Sequence, residues 1–316
     1  MLILNTSILY AENSTIQPIV VNEDETQLAK VFKKREAVEE RFEYSLKVGY
    51  RKDSVNWSIS GNSRDLLSEL TWENMSIYQA RLSGRVNLHR GWFLYGEFSS
   101  GTINSGQNRD SDYAESNGNK EYSRSVSSAG GAVSDIKFFV GKSLFEFSRL
   151  KRSISVTPLV GLSINQQRLT MYNGSQVIPY DAPLIGLNNN YDAQWYGPFV
   201  GATSIFEINK NINFHASIEY YRFKYSAEAN WNLREDFKHP RSFEHKAEGK
   251  GIVYALGLDI VISRNLLITS KYEYRAWDTD SGNDTTYYSY GTTDQFKLNQ
   301  VEWRSYSLSI GTTYLF

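Results

Sequence analysis

The sequence predicts an all-β protein: a ten-stranded antiparallel transmembrane β-barrel with a short N-terminal helix. Long segments alternate between apolar and polar residues, and the connections between them alternate between short and long. The polar positions of the alternating segments also carry full charges. Strands that cross a membrane have these properties because only one of their faces has to be apolar.

The composition excludes several other classes of protein. The 316 residues include 34 basic and 35 acidic side chains, a formal charge of −1 that argues against nucleic-acid binding. Cysteine is absent, which excludes disulfides, thiolate metal sites and cysteine nucleophiles. No run of 18 apolar residues occurs, so the sequence predicts no transmembrane helix, whereas membrane-spanning strands remain compatible with it.

The alternation with a period of two begins at Glu43. It recurs near residues 78–88, 135–141, 212–220, 252–262 and 305–316. In the first segment the apolar positions are Tyr44, Leu46, Val48 and Tyr50, and the polar positions are Ser45, Lys47, Gly49 and Arg51. Strict alternation of this length predicts strands with one apolar face.

The connections predict the number and direction of the strands. Short connections are expected at 89–91, 146–153, 207–211 and 263–265, and long ones near 61–74, 104–132, 168–194, 226–249 and 278–301. Nine connections imply ten antiparallel strands. Tight turns on one rim and long loops on the other are typical of bacterial outer-membrane barrels, whose short turns are periplasmic.

The charged positions decide which face is turned outward. They include Lys47, Arg51, Arg81, Arg85, Glu97, Glu219, Lys271, Glu273 and Arg275. In a soluble barrel the enclosed face is the apolar core, so a charged enclosed face predicts that the apolar side chains look into lipid. The alternative, a soluble β-sandwich, needs the charged face exposed on both sheets.

Ten strands enclose a small lumen, so we expect ion pairs between the inward charges to plug it. This expectation disfavours a wide porin, whereas a narrow pore remains an alternative.

Aromatic side chains near the strand ends are expected to form the two interfacial girdles of the barrel. The candidates are Tyr50, Trp57, Trp92, Tyr95, Tyr220, Tyr225, Tyr254, Tyr272 and Tyr274. The chain ends in Phe316, on the apolar phase, and a terminal aromatic residue resembles the C-terminal signature of bacterial barrels.

The sequence divides into three parts. Residues 1–11 are apolar and end on a small residue, which favours a signal-peptide remnant over an ordinary N-terminus. Residues 12–42 are expected to form a periplasmic segment, with a charged helix over 22–41. Residues 43–316 are the predicted barrel, which places the protein in the bacterial outer membrane.

Five segments of the chain resemble a known family. They are Leu67–Trp72 (LSELTW), Ser105–Tyr113 (SGQNRDSDY), Pro158–Gly161 (PLVG), Trp195–Gly201 (WYGPFVG) and Ala229–Arg234 (ANWNLR). Their order and spacing are similar to the Protochlamydia-type outer-membrane proteins, omptin-like barrels for some of which a porin role has been proposed. The resemblance runs from about residue 43 to the C-terminus and implies no settled enzymatic activity.

The omptins themselves are outer-membrane proteases, and the resemblance to them implies a candidate catalytic site. In omptins an Asp-x-Asp-Trp pair on the second outer loop faces an Asp-x-His pair on the fourth. Asp110 and Asp112 match the first pair, with Tyr113 in place of the tryptophan. Two carboxyl groups at this spacing lie on one side of an extended chain and can hold a water between them. The alternative is that Asp110 and Asp112 lie on a solvated loop and have no catalytic role.

The second omptin pair has no direct match. The fourth loop contains Glu235, Asp236 and His239, but no Asp-x-His. Asp236 and His239 are three residues apart, so an extended chain turns them to opposite sides. Under the protease hypothesis the catalytic residues are Asp110, Asp112 and His239, with Asp236 or Glu235 as the group that orients the imidazole.

Three functions therefore remain open. The first is an envelope barrel or narrow pore for small solutes, and the second is an omptin-like endopeptidase acting on peptides. The third is an adhesin that uses the tyrosine-rich loop 285–290.

His215 and Ser217 have the spacing seen in phospholipase-type barrels, a short match that chance explains equally well. We expect no metal and no cofactor. The expected partners are outer-membrane lipid and lipopolysaccharide, the latter implied by the omptin resemblance.

Overall fold

The structure, a computed structural model, describes residues 42–61, 64–114, 120–149 and 152–316. The predicted signal remnant and the predicted helix over 22–41 lie outside the described residues. Within them, no helix is long and apolar enough to cross a membrane.

The described residues form thirteen strands. These are β1 (Phe42–Gly61), β2 (Arg64–Asn87), β3 (Trp92–Tyr113), β4 (Glu121–Lys142), β5 (Phe145–Arg149), β6 (Arg152–Ile178), β7 (Ala182–Leu184), β8 (Asn189–Asn209), β9 (Ile212–Asn230), β10 (Phe243–Val261), β11 (Leu266–Thr279), β12 (Gly282–Tyr287) and β13 (Thr293–Leu315). A short 3₁₀ turn, His89–Gly91, joins β2 to β3 at one of the predicted short connections.

The strands close into one antiparallel barrel. Neighbours pair in the order β1, β2, β3, β4, β6, β8, β9, β10, β11 and β13, and β13 pairs with β1. The short strands add no further walls, because β5 and β7 pair with β6, and β12 lies between β10 and β13 above β11. The predicted ring of ten antiparallel strands is therefore confirmed.

The half of the barrel nearest the short turns has an apolar outer surface. On β1 the side chains of Tyr44, Leu46 and Val48 are exposed by 41, 49 and 62%. The intervening inward positions include Ser45 and Arg51, which are buried. The apolar stretch on β1 runs from Phe42 to Tyr50, close to the roughly 9–11 residues that a membrane strand needs. The predicted orientation, with the apolar face outward and the charges inward, is confirmed.

Outward tyrosines mark the upper boundary of this apolar band. The rings of Tyr50 and Tyr78 meet edge to face with their centres 5.9 Å apart, and Tyr274 lies opposite both Tyr254 and Tyr306 in the sheet register. The prediction of girdle positions was wrong for Trp57 and Tyr225, which are buried inside the barrel. It was also wrong for Tyr95, whose hydroxyl donates to the inward Glu97.

Above the tyrosines the same strands continue as a paired wall. Nine of the ten wall strands contain 19 to 27 residues, more than a bilayer requires, and the tenth, β11, contains 14. Here the outward positions are polar, as with Arg222 and Lys224 on β9, whereas inward residues such as Trp195 are fully buried. Much of the sequence predicted as long loops is therefore strand. The outer face of these strand segments meets water instead of lipid. Their sequence therefore lacks the outward apolar positions by which a membrane strand is recognised.

A row of β-bulges crosses β2, β3, β4 and β6 just above the apolar band. On β3 the inward positions are odd-numbered below the bulge, as in Ser99 and Ile103, and even-numbered above it, as in the buried Asn108. A bulge adds one residue and so exchanges the two faces of a strand. This exchange turns Asp110 and Asp112 toward the mouth of the barrel.

Candidate functional site

Ten charged side chains fill the lumen at the level of the upper membrane boundary. Arg51 contacts Asp53 at 2.6 Å and Asp135 at 2.8 Å, and Lys137 contacts Glu219 at 3.0 Å. The rest of this ion-pair layer is Arg81, Glu97, Lys271, Glu273 and Arg275, so five cations face five carboxylates. The layer is electrically balanced, and the predicted ion-pair network is confirmed.

An aromatic layer lies directly above the ion-pair layer. The rings of Trp195, Trp277 and Trp303 lie 5.2 to 5.9 Å apart, and each side chain is at most 1% exposed. Trp303 joins the two layers, because its indole N–H donates to Asp53 at 3.1 Å and the Arg275 guanidinium lies 4.4 Å from its ring centre. The charged and aromatic layers together fill the lumen with side chains.

A histidine that the sequence analysis did not select lies above the aromatic layer. His245 Nε2 is 2.9 Å from Asp284 Oδ2, and its Nδ1 is 2.8 Å from the Tyr191 hydroxyl, which in turn bonds to Tyr225. His245 is 0% exposed and packs against Trp57 at 4.8 Å. Both ring nitrogens are occupied and the ring is enclosed, so the arrangement holds the upper barrel together.

No local sequence motif marks the His245–Asp284 pair. The two residues are 39 positions apart and become neighbours only because β10 pairs with β12 in that register. Finding the pair from sequence would have required the strand register above the membrane.

Asp110 and Asp112 lie at the outer mouth of the barrel and are partly buried. Burial, and next the charge of Asp112, raise the pKa of Asp110 to about 7. A hydrogen bond from the Trp231 side chain and the charge of Arg234 oppose that increase. Burial also raises the pKa of Asp112, against hydrogen bonds from Ser68 and Ser123. Two carboxyl groups this close titrate as a coupled pair, because each charge disfavours ionisation of the other.

The structure does not bring the other predicted catalytic residues together. Asp236 is paired with Arg234 at 2.8 Å, and His239 Nδ1 lies 2.6 Å from Asn230 Oδ1. In the described part of the chain, no hydrogen bond or ion pair joins Asp236 to His239. Among the described residues, the carboxyl pair interacts with Trp231 and Arg234, whereas Asp236 and His239 have separate partners.

The described residues contain no group of three or more His, Asp or Glu side chains able to hold a metal ion. The chemistry that these residues offer at the mouth is that of two neighbouring carboxyl groups with raised pKa values, beside a guanidinium and an indole.

A closed antiparallel barrel with an outward apolar band, a tyrosine girdle and a charged interior defines an integral outer-membrane β-barrel protein. Residues 45–316 match the model of the Pom family, the Protochlamydia outer membrane proteins. The chain belongs to this family, as the sequence resemblance predicted.

The fold has a counterpart among solved structures. The outer membrane protease OmpT from Escherichia coli superposes with a TM-score of 0.74 at 12% identity, over 88% of this chain and 98% of that one. The outer membrane protein OprG from Pseudomonas aeruginosa matches with a TM-score of 0.35 at 12% identity, over 87% and 96% of the two chains. No curated protein sequence matches the chain. The OmpT likeness supports the omptin-like fold and, at this identity, nothing more.

Proposed function

We propose that this protein is a sealed outer-membrane barrel whose extracellular rim is a binding surface. The observation that carries the proposal is the double closure of the lumen. Trp195, Trp277 and Trp303 are buried above a balanced layer of ion pairs, which leaves solutes no wide path. A barrel filled in this way is suited to support what its outer loops present.

The composition of the rim supports a role in binding. Tyr288 and Tyr290 stack at 5.2 Å, and Tyr290 is 69% exposed. Beside them Phe237 lies 5.9 Å from Tyr288, and the Arg234 guanidinium lies 4.2 Å from the Phe237 ring. Rigid aromatic side chains and arginine are the groups that contribute most to recognition surfaces.

The closed lumen is tested by planar-bilayer recording of the refolded protein. We expect no discrete conductance steps, because both side-chain layers block the path. Reproducible steps at concentrations where an empty-detergent control is silent would contradict the sealed barrel and favour the narrow pore.

Adhesion is tested with lipid vesicles that carry the protein and with cultured eukaryotic cells. The double substitution of Tyr288 and Tyr290 by alanine should abolish vesicle binding. Tyr180→Ala is the matched control, since Tyr180 is also 69% exposed and lies in another outer connection. An equal loss for both variants, or no binding by the unmodified protein, would contradict the rim as a specific surface.

The outward basic residues are relevant to the proposed contact with lipopolysaccharide. Lys250 lies directly opposite Arg222 in the β9–β10 register, Lys224 lies further along β9, and all three are exposed above the apolar band. Such a cluster suits the phosphates of an outer-leaflet glycolipid. Lipopolysaccharide therefore stays a proposed partner. The test is to measure lipopolysaccharide binding by the Arg222→Gln/Lys250→Gln protein, which should be weaker than binding by the unmodified protein.

A second candidate function is peptide hydrolysis at the mouth. The raised pKa of Asp110 favours it, because a carboxyl pair that shares a proton can position and activate a water. The absence of a hydrogen bond between Asp236 and His239 in the described structure weighs against it.

The peptidase is tested by incubating the refolded protein and lipopolysaccharide with peptides that contain paired basic residues. The sealed-barrel proposal predicts no cleavage. Cleavage lost in both Asp112→Ala and His239→Ala would favour the peptidase, whereas cleavage that survives both substitutions would discard these catalytic residues.

A further inference from the structure

A cavity of about 250 Å³ occupies the lumen on the side of the short turns, below the ion-pair layer. It exists because inward positions at this end carry small side chains, including Ser45, Ser83, Ser217, Thr203 and Thr313. We call it the periplasmic vestibule, after the side on which the short turns of such barrels lie.

The two walls of the vestibule differ in chemistry. The wall from β3, β4 and β6 is apolar and contains Phe93, Phe139 and Leu159. Phe93 and Leu159 are buried, and the rings of Phe93 and Phe139 lie 6.0 Å apart. The adjoining wall, from β1, β2 and β13, carries Lys47, Arg85 and several hydroxyl groups.

Most charges that line the vestibule already have partners. Lys137 contacts Glu219 at 3.0 Å, and Lys271 contacts Glu273 at 2.7 Å, just outside the cavity. His215 is hydrogen-bonded to Asp259. These groups belong to the barrel's own ion pairs.

Among the charged groups that line the vestibule, Lys47 differs because it has no ion-pair partner in the described structure. Within the described residues no carboxylate lies within 4 Å of its ammonium, although the other inward lysines of the lumen each have one. Its contact is the Ser45 hydroxyl at 2.6 Å, and Thr313 donates to the same hydroxyl at 3.0 Å. A partly buried ammonium retains an unmet preference for an anion.

Arg85 adds a second incompletely used donor on the same wall. Its guanidinium lies 4.0 Å from the centre of the Phe93 ring and 3.7 Å from Glu43, a long ion pair. Its buried Nε–H has no hydrogen-bond partner in the described structure. The ring fixes the guanidinium at the edge of the cavity, with one donor left over.

We propose that the periplasmic vestibule binds a small organic anion, whose carboxylate or phosphate meets Lys47 and Arg85 and whose apolar part packs on Phe93, Phe139 and Leu159. The combination of one cationic and one apolar wall selects such an amphiphile over an inorganic ion or a neutral hydrocarbon. The site is separate from the extracellular rim, and it does not depend on the function proposed for that rim.

Fluorine NMR of the full-length protein in lipid nanodiscs tests this site, with para-trifluoromethylbenzoate as the probe. The neutral comparison is the matching benzamide, which has the same shape without the charge. We expect the benzoate to bind about tenfold or more tightly than the amide, once partition into empty nanodiscs is subtracted, because hydrogen bonds to charged groups are stronger than neutral ones.

Lys47→Met should reduce benzoate binding to the level of the amide. Lys52→Met is the control, because Lys52 lies on the same strand but in the outward phase, above the apolar band. Equal binding of benzoate and benzamide by the unmodified protein would overturn the proposal, and this comparison needs no variant. An equal loss in Lys52→Met, or no saturable binding at all, would also overturn it.

Discussion

The two halves of this barrel use the same strands with opposite polarity. In the half nearest the short turns, apolar side chains such as Val48 face outward and Arg51 and Glu273 face the lumen. In the projecting half, outward residues are polar and the lumen is filled by Trp57, Trp195 and their neighbours. The chain therefore builds a membrane barrel with a soluble barrel continuous above it.

The solvent outside each half determines which face of a strand is apolar, whereas hydrogen bonding determines only which strands pair. Lipid outside favours an apolar outer face, so the membrane half places its charges inside, where they must pair. The projecting half is surrounded by water, which favours polar outer side chains and an apolar interior, as in a soluble barrel. The ion-pair layer lies at the boundary and joins the two regimes.

The largest expected effect comes from breaking the ion-pair layer. Glu273 contacts Lys271 at 2.7 Å and both Arg81 and Arg275 at 3.4 Å, so Glu273→Ala leaves buried cations without a counter-charge. We expect a loss of about 3–5 kcal/mol in the free energy of unfolding, measured by urea titration in lipid vesicles.

Glu302→Ala is the matched control in the projecting half. Glu302 faces outward and lies 3.8 Å from Arg304, and exposed pairs of this kind contribute about 0–1 kcal/mol. If the two variants lost similar stability, the proposed difference between the inner faces and outer faces would be wrong.

A smaller effect is expected where the two layers meet. Trp303→Phe keeps a ring in the aromatic layer but removes the N–H that donates to Asp53. We expect a loss of about 1.5–3 kcal/mol, the contribution of one hydrogen bond to a charged group, because Arg51 still donates to Asp53 in the variant. Trp92→Phe, at a lipid-facing position, should change the same measurement little. A neutral Trp303→Phe would show that the layers are not coupled through this bond.

At the mouth we expect a pH effect with a defined sign. Because burial and Asp112 hold the pKa of Asp110 near 7, above its ordinary value of 3.8, the folded chain binds more protons than the unfolded chain between these values. Stability contributed by Asp110 is therefore present at low pH and lost as the pH rises through that window.

Carbon-13 NMR of the aspartate carboxyl groups measures this titration directly. Asp112→Asn should lower the pKa of Asp110, since it removes a neighbouring negative charge, and Arg234→Gln should raise it. If neither substitution changed the pKa of Asp110, the two aspartates and Arg234 would not form one electrostatic group.

The sequence was sufficient to predict the membrane half. Alternation from Tyr44 to Tyr50 and the charges at Arg51, Glu219 and Glu273 gave the strand faces, the ring of ten and the ion-pair network. These features follow from local period and charge, which a single sequence contains.

The upper half could not be predicted in the same way. Trp195 and Trp277 fell in or beside segments that looked like loops, and the bulge before Asn108 exchanges faces without a clear signal in the sequence. The His245–Asp284 pair depends on the register between distant strands. Asp110 and Asp112 were found through the omptin resemblance, but which side chains face them depends on the fold of the fourth loop.

The change of solvent along a single strand is measured most directly by cysteine accessibility, and the chain has no native cysteine to interfere. Val48→Cys and Ser54→Cys place a thiol on the outer face of β1, below and above the tyrosine girdle. In nanodiscs, a charged maleimide should modify the Ser54→Cys protein and leave Val48→Cys unreacted. Val48 is 62% exposed in the protein alone and Ser54 is half-buried, so faster reaction at position 48 would contradict the lipid-facing band.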